Sequence, residues 1–208
     1  MKKSRLFAFL FFAFLACIIF QSKTYDIEMI SDNGCGKTEK VSTSITISDS
    51  GLRKANDLKE NEFVVDGTKG RIGDNKDDYV YYYHKTDPSS DKSVVCIEFC
   101  KEHPVYYTTA GGSIHVTPDQ VGKEIDMLTD KTGMSWMNLF SLKDPNQGYS
   151  DTNKEVSFNS DAKDNLAKAT CKVFKNESGG GYTALAYFKT KDGKEAYCKM
   201  NAKVEAPW

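Results

Sequence analysis

The residues of this chain best suited to acid–base chemistry are its three histidines together with Glu98. The histidines are His84, His103 and His115, and Glu98 lies in a segment rich in valine and isoleucine that is typical of a strand. A secreted hydrolase or nuclease could use His84, His115 and Glu98 as acid, base and charge stabiliser if one sheet face brought them together. The alternative, which we adopt, is that they are ordinary core or surface residues and that the chain has no catalytic residue.

Other motifs of enzyme chemistry are absent from the sequence. No phosphate loop, dinucleotide-binding turn or HExxH zinc motif occurs in the chain. Residues 111–115 lack the closing glycine of a nucleophile elbow and are interpreted as a glycine turn. Oxygen-bearing residues from Asp144 to Glu155 approach the spacing of a calcium loop, but Tyr149 stands where that loop needs glycine. We therefore expect no metal and no cofactor.

Tyrosine clusters in the middle of the chain. Six of the eleven tyrosines lie within residues 79–83 and 106–107. In a strand over residues 79–84, odd-numbered and even-numbered side chains point to opposite faces. Tyrosine combines a large rigid ring with a hydroxyl, which suits contacts with protein or sugar. We predict a binding surface that includes Tyr81, Tyr83 and Tyr106; the alternative is ordinary packing, because tyrosine favours sheets.

The first 24 residues predict a secretory signal peptide. Basic residues in positions 1–5 precede an unbroken apolar run of 15 residues, 6–20, which is shorter than the ~20 residues of a membrane-spanning helix. We expect residues 1–24 to be removed, the protein to be extracellular, and no stable membrane insertion to remain. An uncleaved anchor and lipid attachment at Cys17 are the alternatives.

Charge and composition narrow the class of protein. The chain has 28 basic and 29 acidic residues, and four of the basic ones lie in the first 24. The remainder carries a net charge of −5, which argues against binding to nucleic acid. Residues 25–208 suit one globular domain with a sizeable core.

Cysteine number predicts a disulfide framework. Removal of the signal would leave five cysteines, which an oxidising compartment should mostly pair, with one left as a thiol or available for a disulfide-linked dimer. Two cysteines lie four residues apart in one predicted strand, ~13 Å from each other, and so should not pair with each other. Cys171 and Cys198 could pair with each other only if they do not lie on strands that flank residues 182–190 on opposite sides, because such strands are ~10 Å apart. The candidates are Cys35, Cys96, Cys100, Cys171 and Cys198.

One tripeptide matches the acceptor sequence for N-linked glycosylation. It comprises residues 176–178, with Asn176 as the acceptor, and three glycines follow it. A glycine-rich segment favours an exposed turn, so Asn176 is predicted to be accessible and to carry a glycan in a eukaryotic host.

Alternating β-branched and aromatic residues predict a sheet of mainly antiparallel strands. Strands are expected over 41–47, 79–84, 93–100 and 105–109, and hairpins over 62–72 and 182–204. A capping box at Thr117 and Gln120 predicts a helix that ends near Gly133. Residues 134–142 and 161–168 are candidates for further short helices, the latter before a strand at 170–174. Repeated strand–helix–strand units are missing, which argues against a doubly wound nucleotide-binding fold.

The sequence therefore predicts an α+β, β-rich fold: a single disulfide-stabilised domain with one to three short helices. The expected function is a secreted binding module of the effector type, with an unknown extracellular protein or carbohydrate as partner. A hydrolase that uses His84, His115 and Glu98 is one alternative. An extracellular structural or surface protein, linked through the odd cysteine, is the other.

Overall fold

The computed structural model describes residues 24–25, 43–74, 76–87, 91–101, 110–142, 155–177 and 180–206. The chain forms two compact units, Met1–Thr46 and Ile47–Trp208. In the first unit, two short strands, β1 (Thr24–Tyr25) and β2 (Thr43–Ser44), pair antiparallel. The predicted strand over 41–47 is thus described as a strand only at residues 43–44.

The second unit is a sandwich of two six-stranded sheets. Its strands are β3 (Glu62–Val65), β4 (Thr68–Arg71), β5 (Tyr79–Asp87), β6 (Lys92–Lys101), β7 (Ala110–Val116), β8 (Glu124–Asp126), β9 (Trp136–Leu142), β10 (Glu155–Asn159), β11 (Leu166–Lys175), β12 (Tyr182–Thr190), β13 (Glu195–Ala202) and β14 (Val204–Glu205). One sheet, here the β6 sheet, has the order β10-β9-β7-β6-β5-β14, and the other, the β12 sheet, has the order β4-β3-β13-β12-β11-β8. All neighbouring strands of both sheets are antiparallel except β14, which runs parallel to β5.

A single hydrophobic core lies between the two sheets. Alternate residues of each strand contribute to it, such as Ile97 from β6 and Ala186 from β12, because successive side chains of a strand point to opposite faces. The rings of Phe158 and Phe188 meet across the core with centroids 5.8 Å apart. The β-rich class and both predicted hairpins are confirmed; residues 105–109 lie outside the described part of the chain.

One α-helix, α1 (Ser50–Asn56), covers the outer face of the β12 sheet. Asp49 caps it by accepting the backbone N–H of Leu52 at 2.8 Å. The helix lies so close to the sheet that a Cβ on Gly51 would stand 2.3 Å from the ring of Tyr187. Glycine at this position is what permits the close packing.

The expected helix after Thr117 is wrong. The Gln120 side chain accepts the backbone N–H of Thr117 at 2.9 Å, as a capping box requires, but only a 3₁₀ turn, Pro118–Gln120, follows. Gly122 then takes a positive φ of 88° and donates its N–H to the carbonyl of Val173 at 2.7 Å. Pairing of β8 with β11 thereby replaces the helix.

The other two candidate helices are also corrected. Residues 136–142 form β9 between β7 and β10. Residues 161–165 make turns that lead directly into β11, which includes the predicted strand at 170–174. Along β9, ladder hydrogen bonds to the neighbouring strands satisfy the backbone. In the turns, local bonds do so, such as the one that the Asn165 N–H donates to the Ala162 carbonyl at 3.0 Å.

The disulfide-stabilised part of the fold prediction is wrong. None of the four described cysteines forms a disulfide; all are buried thiols. Cys171 and Cys198 oppose Ala186 from its two sides, so the central strand holds them ~10 Å apart. That separation, and the lack of a bond between Cys96 and Cys100, agree with the geometry argued from the sequence. Bonds between the two pairs do not form either, because Cys171 and Cys198 face the core whereas Cys96 and Cys100 lie on the outer face of the β6 sheet. Cys35 lies outside the described residues.

Candidate binding face

The outer face of the β6 sheet, opposite the core, carries a group of aromatic, polar and ionisable side chains. In an antiparallel sheet, directly opposite residues share a face. The register places Tyr81 opposite Glu98, and Glu98 opposite Ser113 on the next strand. We call this surface the tyrosine face; it comprises Tyr79, Tyr81, Tyr83, Cys96, Glu98, Cys100, Ser113, His115, Trp136 and Asn138.

Glu98 lies at the centre of the tyrosine face. The Tyr81 hydroxyl donates to one carboxylate oxygen and the Tyr83 hydroxyl to the other, both at 2.7 Å. Both donors are neutral, and within the described residues Glu98 has no ion-pair partner. The face therefore retains one negative charge that hydrogen bonds stabilise but do not neutralise.

The tyrosine rings form a row along β5, in which the first pair is stacked and the second is tilted. The Tyr79 and Tyr81 centroids are 5.1 Å apart with the planes 22° from parallel, and the Tyr81 and Tyr83 centroids are 6.1 Å apart. Burial first, and then the hydrogen bond to Glu98, raises the pKa of Tyr81 and of Tyr83. Both phenols thus stay protonated and keep their donor role.

Cys96 and His115 face each other across the same surface, yet neither carries a charge suited to catalysis. Cys96 is 0% exposed, and burial raises the pKa of its thiol to about 11. Burial likewise lowers the pKa of His115, whose Nε2 has no hydrogen-bond partner among the described residues. A nucleophilic cysteine needs a thiolate, which a neighbouring imidazolium would favour. This pair holds both groups neutral.

His84 lies on the opposite face of β5 from the tyrosine row. It opposes Val95, a core residue, and its Nε2 is 3.3 Å from the Tyr182 hydroxyl. His84, His115 and Glu98, the trio of the alternative hydrolase hypothesis, are therefore not brought together. The predicted alternation along β5 is confirmed, with Tyr81 and Tyr83 on the outer side; His103 and Tyr106 lie outside the described residues.

The far side of the face was missed by sequence reasoning. Asn138 Oδ1 accepts the backbone N–H and the hydroxyl of Ser113, at 2.7 and 2.9 Å. The Trp136 ring packs edge-on against His115 with centroids 5.2 Å apart. The sequence predicts a helix over residues 134–142, which would not place these side chains on one face of a sheet. The alternation of Trp136 and Asn138 with buried Met137 and Leu139 was the signal for a strand.

Asn176, the predicted glycan acceptor, takes part in a local hydrogen-bond network. Its Nδ2 donates to Asn201 Oδ1 at 2.7 Å, and its Oδ1 accepts the Thr183 hydroxyl at 2.6 Å. The side chain is half-buried and links β12 to β13 at one end of the sheet. Attachment of a glycan to Nδ2 must spare one N–H for the bond to Asn201, and glycosylation of this residue stays a prediction.

Three further findings bear on function. No group of three or more histidine, cysteine, aspartate or glutamate residues in the described segments is arranged to hold a metal ion. No helix of the described chain is long and apolar enough to cross a membrane. Comparisons with protein-family models, with curated proteins and with solved structures found no match.

Proposed function

We propose that the chain is an exported binding module that recognises an extracellular protein through the tyrosine face. The observation that carries the proposal is the cluster of Tyr79, Tyr81 and Tyr83 around Glu98, whose charge has no ion-pair partner in the described chain. The apolar run of residues 6–20 supports export.

The two outer faces of the sandwich differ in a way that supports this assignment. Helix α1 packs on the outer face of the β12 sheet, so part of that face is buried within the fold. On the β6 sheet the aromatic row stays partly accessible, with Tyr79 36% exposed. Rigid aromatic side chains with polar tips are favoured at protein interfaces, because they lose little conformational freedom on binding.

The ring geometry favours a protein over a carbohydrate. Sugars stack on the flat faces of aromatic rings, and Tyr81 has Tyr79 against one face and Tyr83 beside the other. The row therefore presents ring edges and phenol oxygens rather than an open platform. Edges and oxygens suit the mixed polar and apolar side chains of a protein segment.

A binding selection with matched tyrosine variants tests the proposal. The purified protein would be screened against a phage-displayed peptide library and a glycan array, and the selected ligands measured against Tyr81→Ala, Tyr83→Ala and Tyr197→Ala. Tyr197 is a half-buried tyrosine on the outer face of the other sheet. We expect peptide ligands whose affinity falls at least about tenfold with the first two variants and stays unchanged with the third.

Three outcomes would contradict the proposal. They are failure to select any ligand, ligands that ignore both substitutions, and selection of glycans alone. Circular dichroism of each variant separates loss of binding from loss of folding.

A further inference from the structure

We infer that the centre of the tyrosine face recognises an arginine side chain of the partner protein; this inference rests on the proposed function and names the chemistry of its ligand. The argument starts from the hydroxyls of Tyr81 and Tyr83. Each phenol has a single proton, and both protons are donated to Glu98 at 2.7 Å. Lone pairs remain on the Tyr81 oxygen, whereas the Tyr83 hydroxyl also has a hydrogen bond with the Cys96 thiol.

The centre of the face is thus rich in hydrogen-bond acceptors and poor in donors. The Glu98 carboxylate has two lone-pair sites on each oxygen and uses one on each for the phenols. The remaining sites and the Tyr81 phenol oxygen form a cluster of three acceptor atoms that carries one negative charge. A ligand that fits must bring several donors and a positive charge.

Among protein side chains, arginine meets this requirement best. Its guanidinium is planar, always charged and offers five N–H donors in a fork that can bridge adjacent oxygens. Lysine offers a compact ammonium with three donors and binds such a planar acceptor set less specifically. The half-buried position of Glu98 strengthens the attraction relative to a fully solvated carboxylate.

The charged residues around Glu98 leave its carboxylate available to a cationic ligand. Within the described residues no cation pairs with Glu98. Lys85, which follows Tyr83 in the same row, is exposed, and its charge acts on Cys96 and His115. The chain without its first 24 residues carries a net charge of −5, which also favours a cationic partner.

A pair of isosteric peptides tests the inference on the unmodified protein. The probes are acetyl-Gly-Ser-Arg-Ser-Gly-amide and the same peptide with citrulline, which keeps the shape of arginine but has no charge. Nuclear magnetic resonance titration would follow the ring signals of Tyr81 and Tyr83 and the side-chain signals of Glu98. We expect the arginine peptide to shift these signals, with an affinity at least about fivefold above that of the citrulline peptide and weakened by salt.

Two protein variants locate the effect. Glu98→Gln keeps the shape of the side chain and removes its charge, and we expect it to lower the affinity for the arginine peptide at least about fivefold. Glu60→Gln removes the same charge from an exposed position between α1 and β3, and should leave the affinity unchanged. Equal binding of the two peptides, absence of shifts, or equal effects of the two variants would overturn the inference.

The two proposals fail in distinguishable ways. If the selected peptides still depend on Tyr81 and Tyr83 while Glu98→Gln is neutral, the binding face stands and arginine recognition is wrong. If the arginine peptide binds at Glu98 while the selected peptides ignore both tyrosines, the site binds cations but the proposed function is wrong.

Discussion

Removing the hydroxyls that donate to Glu98 should destabilise the fold by a predictable amount. Tyr83→Phe deletes one oxygen and leaves the ring in place over β6. The carboxylate then loses one of the two donors that it has at 2.7 Å. Tyr81→Phe does the same at the other oxygen, so the two substitutions are matched probes of one carboxylate.

The magnitude follows from the charge and the burial of Glu98. A hydrogen bond to a charged group contributes about 1.5–3 kcal/mol, and water can replace part of it where the carboxylate is reachable. Glu98 is only half-buried, so each substitution should lower the free energy of unfolding by ~1–1.5 kcal/mol. The double variant should lose ~2–3 kcal/mol, which for a domain of this size corresponds to a fall in Tm of roughly 4–12 °C.

Urea denaturation of the single and double variants measures these differences, with Tyr197→Phe as the control. The Tyr197 hydroxyl donates no hydrogen bond to another residue of the described segments, so its removal should change the free energy of unfolding by less than ~0.5 kcal/mol. Combining Tyr83→Phe with Glu98→Ala completes a double-mutant cycle, in which the cost of losing the hydroxyl should shrink by ~1 kcal/mol. Equal costs in the presence and absence of the carboxylate would refute the assigned hydrogen bond.

Two further predictions concern groups beneath and beside the tyrosine row. Because burial lowers the pKa of His115 below its ordinary 6.5, the unfolded chain takes up a proton below that pH before the folded chain does; stability should fall as the pH drops from 7 towards 5, and His115→Gln should flatten that part of the curve in pH-dependent urea denaturation. Tyr83→Ala should speed the alkylation of Cys96 by iodoacetamide, and Tyr79→Ala should speed that of Cys100, because each tyrosine lies opposite the cysteine that it shields. Peptide mass spectrometry measures the two rates. Equal reactivity of both cysteines in both variants would show that the tyrosines do not shield them.

Local patterns predicted the parts of the fold that depend on neighbouring residues. Alternation and turn residues identified the hairpins at 62–72 and 182–204, and the strand at 79–84 with its two distinct faces. The capping box at Thr117 is also a local signal, and it forms. The helix it predicted does not continue, because tertiary pairing with β11 competes for the same backbone groups.

Helix α1 shows the opposite failure. Its seven residues contain only Leu52 and Ala55 as apolar residues that become buried, too few for a recognisable period. Its stability comes from packing on Tyr187 and from the ion pair between Asp49, which caps it, and Lys168. Neither contact can be inferred from residues 49–56 alone.

The candidate site needed the register between strands. The alternation along β5 put Tyr81 and Tyr83 on one face, but the sequence does not say which residue of β6 lies opposite each. That register brings Glu98 to the tyrosines rather than to His84. Glu98, which the alternative hypothesis places beside histidines in a hydrolase, is therefore a hydrogen-bond acceptor for two phenols.

Export and buried thiols are physically compatible, although the number of cysteines predicts disulfides in an exported protein. Oxidation proceeds through the thiolate, and burial raises the pKa of Cys96 to about 11 and that of Cys198 to about 12. Near neutral pH both thiols therefore stay protonated, and little thiolate is available for oxidation. Disulfide formation also needs a second sulfur within reach, and the register keeps Cys171 and Cys198 too far apart to pair with each other. An oxidising compartment therefore promotes disulfide formation by exposed thiols, whereas burial and position in the sheets prevent it for the buried thiols of this chain.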